Sequence, residues 1–167
     1  VLPLRPETRV AWIGPYTDTR DLTGSWSFTG DKSAVSTIRE ILPEYTAHTE
    51  GCPGCPMLDP ETDLRTLAEK QLDFPSLAER ERMMREAESC AKKAETVVLF
   101  LGEHPMQSGE ASSRIKPVVP KIQMELFRRV SRVNSNMVVV LFSGRPLEIR
   151  EISGKAKAVL EVWLPGT

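Results

Sequence analysis

From Leu101 to Arg114 the chain reads Leu-Gly-Glu-His-Pro-Met-Gln-Ser-Gly-Glu-Ala-Ser-Ser-Arg, which gathers two carboxylates (Glu103 and Glu110), the His104 imidazole, three hydroxyls and the Arg114 guanidinium. Such a set offers two kinds of chemistry. It can bind a sugar, whose hydroxyls demand paired donors and acceptors, or one carboxyl can serve as a proton donor. On residue types alone a simpler account outweighs both: a solvated loop in which Arg114 pairs with a neighbouring acid. His104 reads as a loop contact rather than a base. Trp26, in Gly-Ser-Trp-Ser, either offers an aromatic face for stacking or plugs a loop, with nothing to choose between them. Arg145, between Gly144 and Pro146, reads as a clamp that orients loops through its planar fork of donors.

Other chemistries find less support. Cys52-Pro-Gly-Cys55 has the spacing of a redox pair or half a zinc site, but zinc needs about four ligands and neither a second pair nor a His cluster follows. No metal is expected. Val10-Ala-Trp-Ile-Gly14-Pro15 ends a strand-like run on a glycine, yet Pro15 removes an amide donor and the next glycine is Gly24, so the GxGxxG phosphate cradle is absent. With 22 basic against 23 acidic residues the net charge is -1, and no basic stripe interleaved with aromatics suggests nucleic acid. The longest apolar run, 137–142, falls far short of the roughly 20 residues that span a bilayer.

The elements that must hold the polar stretch follow from hydrophobic patterning. Short β-branched runs at 9–13, 45–50, 96–101, 137–142 and 158–163 alternate with helical patterns, the signature of a parallel sheet covered by helices. The runs at 96–101 and 137–142 are apolar without alternation, as strands buried on both faces should be. Helices are predicted over 33–42, from a Ser76/Glu79 capping box through Met83, Met84, Ala87, Ala91 and Ala94, and from about Lys121 with Ile122, Leu126 and Val130 on one face. The Met stripe reads as core. The expected fold is therefore α/β, a three-layer α/β/α sandwich around a mainly parallel sheet of five or six strands, in a single domain over 1–167. Two long irregular stretches, 51–75 and 102–120, follow strands and emerge at the carboxyl edge, where open α/β sheets place their ligands.

Taken in order, several segments resemble one family. Val10-Ala-Trp-Ile-Gly-Pro15 is followed by Gly24-Ser-Trp-Ser27 with Gly30-Asp31, by Gly51-Cys52, by Gly102-Glu103, and by Ser108-Gly-Glu-Ala-Ser-Ser-Arg114 with Pro120, Gln123 and Leu126. Phe142-Ser-Gly-Arg-Pro-Leu147 and Trp163-Leu-Pro-Gly-Thr167 complete the set. The chain resembles, over essentially its whole length, the second domain of the β-glucosidase-like glycoside hydrolases of family 3. Two stretches depart from the family pattern: 115–120 is more apolar and Pro-rich, and 52–75 is longer.

The resemblance implies a barrel domain upstream in the same polypeptide, an active site between the two domains, and retaining hydrolysis of terminal β-linked sugars by an exo-acting enzyme, with no cofactor. The nucleophile of such enzymes is a barrel aspartate, which this chain lacks. Their general acid/base is a glutamate on the second domain's loop, a position occupied here by Glu110, with Glu103 as the fallback. Trp26 and Arg114 become candidate substrate contacts, and Arg145 and His104 structural neighbours. Both ends of the chain read as cuts in a longer protein, so the piece alone should be inactive and, with its barrel-facing surface uncovered, prone to self-association. Secretion or a periplasmic location is suggested by the family alone. The rival reading is a stand-alone carbohydrate-binding or interaction module without hydrolytic activity; a flavodoxin-like or nucleotide-linked domain ranks behind it.

Overall fold

The structure, a computed structural model, describes residues 2–25, 27, 31–46, 48–62, 74–110 and 112–165. Five strands form one all-parallel sheet: β1 (Val10–Ile13), β2 (Thr49–Cys52), β3 (Thr96–Gly102), β4 (Met137–Phe142) and β5 (Ala158–Trp163), in the order β2-β1-β3-β4-β5. This is the expected α/β sandwich, with five strands among the described residues. β3 is buried along its whole length and β4 nearly so, which is why both read as unbroken apolar runs. β2 and β5 are edge strands and are only partly buried.

β2 is added on one side of β1 and β3, β4 and β5 on the other, so the first crossover and all later ones lie on opposite faces of the sheet. On one face, helices α2 (Leu77–Lys93), α3 (Lys121–Val133) and α4 (Arg150–Lys155) cover Ala11, Ile13, Leu99, Leu101, Val139 and Leu141. The other face buries the alternate residues Val10, Trp12, Val98, Phe100, Val138 and Phe142 under Tyr16 and the β1–β2 crossover, which includes Ile38 and Leu42. The period of two along each strand thus divides one sheet between two cores.

Helix α2 starts where its capping box predicts: the Glu79 amide donates to Ser76 Oγ at 3.3 Å, and Ser76 N donates to Glu79 Oε2 at 2.8 Å. The helix expected over 33–42 is different. It breaks into a 3-10 turn (Lys32–Ala34), an extended Val35, a single helical turn α1 (Ile38–Ile41) and a second 3-10 turn (Leu42–Glu44). Two caps compete for the backbone here. The Asp31 carboxylate accepts from Ser33 N at 2.9 Å, while Thr37 and Glu40 form their own capping box and Pro43 prevents continuation. The strand expected at 45–50 starts later, at Thr49, because Tyr45 and Thr46 still donate to the Leu42 carbonyl and pairing with β1 begins at Val10↔Thr49. Helix α4, short and containing Gly154, was not expected from the sequence; buried Ile152 anchors it.

Helix α3 begins at Pro120, which offers no side-chain cap. Asp59, from the loop after β2, supplies one: its two carboxylate oxygens accept from Lys121 N at 2.8 Å and Ile122 N at 2.7 Å. A carboxylate also complements the positive end of the helix dipole. Asp59→Ala is expected to lower the unfolding free energy by about 1 to 2 kcal/mol, with Asn recovering part of the loss, as read from urea denaturation midpoints.

A pH effect follows from α4. Glu151 is held at about 2, below its usual 4.5, chiefly by hydrogen bonds from Arg128 and also by Lys155. The folded state therefore prefers the ionised form, and this contribution, fully present above 4.5, is lost as pH falls through about 2. Thermal melts should show the gap between wild type and Glu151→Gln narrowing across that window.

Candidate functional site

All five strands point their carboxyl ends toward one edge, and the reversal between β1 and β3 makes a switch point there. Loops after β1, β3 and β4 meet at this edge. Gly102, the last residue of β3, is bracketed by the buried side chain of Gln123 from α3: Gly102 N donates to Gln123 Oε1 and Gln123 Nε2 donates to Gly102 O, each at 2.8 Å. The same Nε2 donates to the Met57 carbonyl at 2.6 Å, which ties in the loop after β2. Tyr16, buried and stacked on Phe142 at 4.2 Å, donates its hydroxyl to the Glu103 carbonyl. Burial, reinforced by the Glu103 charge, keeps the Tyr16 phenol well above its usual range.

Glu103 comes next, and its side chain is 1% exposed. Oε2 accepts from Arg114 Nη1 at 3.0 Å, while Oε1 accepts from Gly144 N at 3.2 Å and lies 3.4 Å from Arg145 Nε. The last contact is an ion pair without hydrogen-bond geometry. One buried carboxylate is thus shared by two guanidinium groups, one from each side. Arg114 Nη2 continues to the Val118 carbonyl at 3.2 Å.

Between these anchors the chain forms a 3-10 turn (Pro105–Gln107) and then a tight exposed turn. His104 caps the first: its Nδ1 accepts from Met106 N at 3.1 Å, and Gln107 Oε1 accepts from His104 N at 2.9 Å. The second is closed by Ser112 N donating to the Gly109 carbonyl at 3.3 Å, with Gly109 at a φ of 109° that a side chain would strain. Glu110 occupies this turn and is exposed. Ser112 Oγ donates to the Met106 carbonyl at 3.1 Å, and Ser25 Oγ, from the loop after β1, donates to the Ser108 carbonyl at 2.8 Å.

The structure therefore brings Glu103, His104, Glu110, Arg114 and Arg145 into one loop cluster but separates their surroundings. Glu103 lies in the interior with both oxygens engaged, and Glu110 faces outward. Trp26 lies outside the described residues, as does 63–73 in the long stretch after β2. Tyr16, Gln123 and Ser25 were not singled out as site residues from the sequence; a Tyr just after Gly14-Pro15 and a Gln on an otherwise apolar helix face were the available signals.

Two open grooves of about 530 and 820 Å³ lie at the opposite, amino edge, lined by the strand starts around Arg9, His48 and Glu50 and around Arg5, Thr96 and Asn136. They share no residue with the carboxyl-edge cluster. Cys52 and Cys55 are buried free thiols, and burial pushes Cys52 up to about 12, which leaves it protonated and unreactive. Among the described residues no group of three or more His, Cys, Asp or Glu side chains is arranged to hold a metal, and no helix is long and apolar enough to cross a membrane.

Comparison with known proteins converges on one family. The sequence matches the family described as the glycosyl hydrolase family 3 C-terminal domain over residues 1–167. It is 31% identical to the periplasmic β-glucosidase of Salmonella typhimurium over 176 aligned positions, covering 99% of this chain and 22% of that protein. The thermostable β-glucosidase B of Acetivibrio thermocellus is 36% identical over 86 positions, covering 52% of this chain and 11% of the relative. Among solved structures, the β-glucosidase of Listeria innocua in complex with isofagomine superposes with a TM-score of 0.82 at 28% identity, over 100% of this chain and 20% of that one. The chain spans about a fifth of the length of the Salmonella relative and of the Listeria chain. On its sequence, its sheet topology and the segments at its carboxyl edge, the chain belongs to glycosyl hydrolase family 3, as that family's C-terminal α/β domain.

Proposed function

We propose that this domain supplies the general acid/base of a retaining, exo-acting β-glycosidase of the β-glucosidase type, acting on terminal β-linked sugars in an active site shared with an upstream barrel domain of the same polypeptide. The observation that carries this reading is the placement of Glu110: an exposed carboxyl on a short turn, at the edge where open α/β sheets bind ligands, within a framework that is otherwise hydrogen-bonded.

Retention requires two carboxyls about 5 to 5.5 Å apart, one attacking the anomeric carbon and one protonating the leaving oxygen. This domain provides the second. Closing a partner domain over Glu110 excludes water from the reacting centre, which strengthens the electrostatic interactions made there. Glu103 is the weaker candidate for that role, because its oxygens already serve Arg114, Arg145 and Gly144 N inside the fold. Arg114 is likewise engaged, Nη1 by Glu103 and Nη2 by the Val118 carbonyl, which favours a clamp over a sugar contact.

The exposed loop also fits a surface that another part of the polypeptide covers. Ile115, next to Arg114, is 99% exposed, and apolar groups so placed favour a partner, or self-association when the partner is missing. With one of two catalytic carboxyls the domain alone is inactive. The Salmonella relative's name carries a periplasmic location, and we assign this protein the same kind of compartment. The test is kinetic: Glu110→Gln in the full-length enzyme, assayed on aryl and alkyl β-glycosides of differing leaving-group quality. A full-length protein that binds glycosides but hydrolyses none would support the binding-module reading instead.

A further inference from the structure

The turn that presents Glu110 is closed by its own hydrogen bonds, from Ser112 N to the Gly109 carbonyl and from Ser112 Oγ to the Met106 carbonyl, and a side chain from another loop reaches it as well. Arg145, in the loop after β4, does this at both ends. Its Nη2 donates to the Gln107 carbonyl at 2.6 Å and to the Ser112 carbonyl at 2.8 Å. Those two carbonyls bracket the span 108–111 that contains Glu110. One guanidinium nitrogen thus staples the mouth of the turn.

Arg145 is itself held from below. Its Nε faces Glu103 Oε1 at 3.4 Å, and the same oxygen accepts from the amide of Gly144 at 3.2 Å, so the carboxylate grips the Gly144-Arg145 segment by backbone and side chain together. Approach of the two loops is close enough that a Cβ on Gly144 would fall 1.9 Å from Ser108 Oγ. A planar guanidinium can hold two carbonyls through Nη2 while its Nε lies against a buried counter-charge, a fixed geometry that a single ammonium on a flexible stem does not supply.

We infer that Glu103 and Arg145 are positioning residues for the proton donor: the buried carboxylate sets the guanidinium, and the guanidinium sets the distance between the Glu110 turn and the glycosidic oxygen. This rests on the reading of Glu110 as acid/base. Misplacing a catalytic group by about 1 Å can cost about 100-fold in rate, and for a proton donor that loss falls on substrates whose leaving group needs the proton.

The experiment uses the full-length enzyme with Glu110→Gln, Arg145→Met and Arg145→Lys, measuring kcat/KM on an alkyl β-glucoside and on a dinitrophenyl β-glucoside. Arg145→Met should lower kcat/KM on the alkyl glucoside by about 100-fold while the dinitrophenyl glucoside stays near wild type. Arg145→Lys, which keeps a donor for the two carbonyls, should recover part of that loss. An equal fall on both substrates with Arg145→Met or Arg145→Lys, while Glu110→Gln remains selective, overturns the positioning role and leaves the donor standing. Loss of selectivity in Glu110→Gln itself overturns both. Should Arg145→Met fail to fold, as judged by its thermal melt, Arg145→Lys decides alone by the same criterion: a selective loss supports the inference and an even one sinks it.

Discussion

Replacing Glu110 by Gln in the full-length enzyme is expected to lower kcat/KM on alkyl β-glycosides by about 100- to 10,000-fold, the usual worth of a positioned general acid, and to leave dinitrophenyl glycosides nearly untouched in the same parameter. The reason is bond-specific. An alkoxide cannot depart without a proton, whereas a dinitrophenolate can. Because kcat/KM reports the first irreversible step, cleavage of the glycosidic bond, it separates these substrates cleanly. The second half-reaction behaves differently. Water must now attack the glycosyl-enzyme without a base, so kcat should fall for activated substrates as well, with a matching fall in KM as the intermediate accumulates. The glutamine keeps the shape of the side chain and removes only the titrating oxygen. Unchanged kcat/KM on both substrate classes would mean that the proton comes from another group and that Glu110 is a surface residue.

Replacing Glu103 by Ala should cost the fold about 3 to 5 kcal/mol, nearer the lower figure, as measured by chemical denaturation. Removing the carboxylate leaves the Arg114 and Arg145 side chains, only 22% and 23% exposed, facing each other without their shared counter-charge. It also leaves the Gly144 amide without its acceptor. Residual exposure of both guanidinium groups moderates the penalty, since water can reach part of each. The contrast is with Arg9 and Glu95, whose side chains are more than half exposed. Breaking that pair should change stability by about 1 kcal/mol or less. If Glu103→Ala proves no worse than Glu95→Ala, the buried carboxylate does not hold the loops together.

Which parts of the fold could be read in advance depended on where the determining interactions lay. β3 and β4 were legible because burial on both faces leaves an unbroken apolar run, a signal that needs no knowledge of the neighbours. Helix α2 was legible because its first turn carries its own cap. By contrast, the segment 33–42 holds a helical pattern of apolar residues, but Asp31 and Thr37 compete as caps and divide it. β2 was placed too early because an edge strand starts where its partner's hydrogen bonds begin, and that register belongs to β1. Helix α4 carries Gly154 and has only six residues, so its propensity is low, and the burial of Ile152 comes from packing on the sheet.

The alternation of strands and helices, the family, and the polar stretch in which Glu103, Glu110 and Arg114 stand together were all readable before folding was considered. Those features are written in local patterns and in motif order. The contrast in the surroundings of the two glutamates, one buried and one exposed, appears only in the fold. Each follows a glycine in the same polar segment, and only the resemblance ranks Glu110 ahead of Glu103 along the chain. Folding brings Arg145 in from the loop after β4, against Glu103 and across the ends of the Glu110 turn. A charge's surroundings are set by groups distant in sequence: Glu103 is buried against two counter-charges, while Glu110 stays exposed on a tight turn.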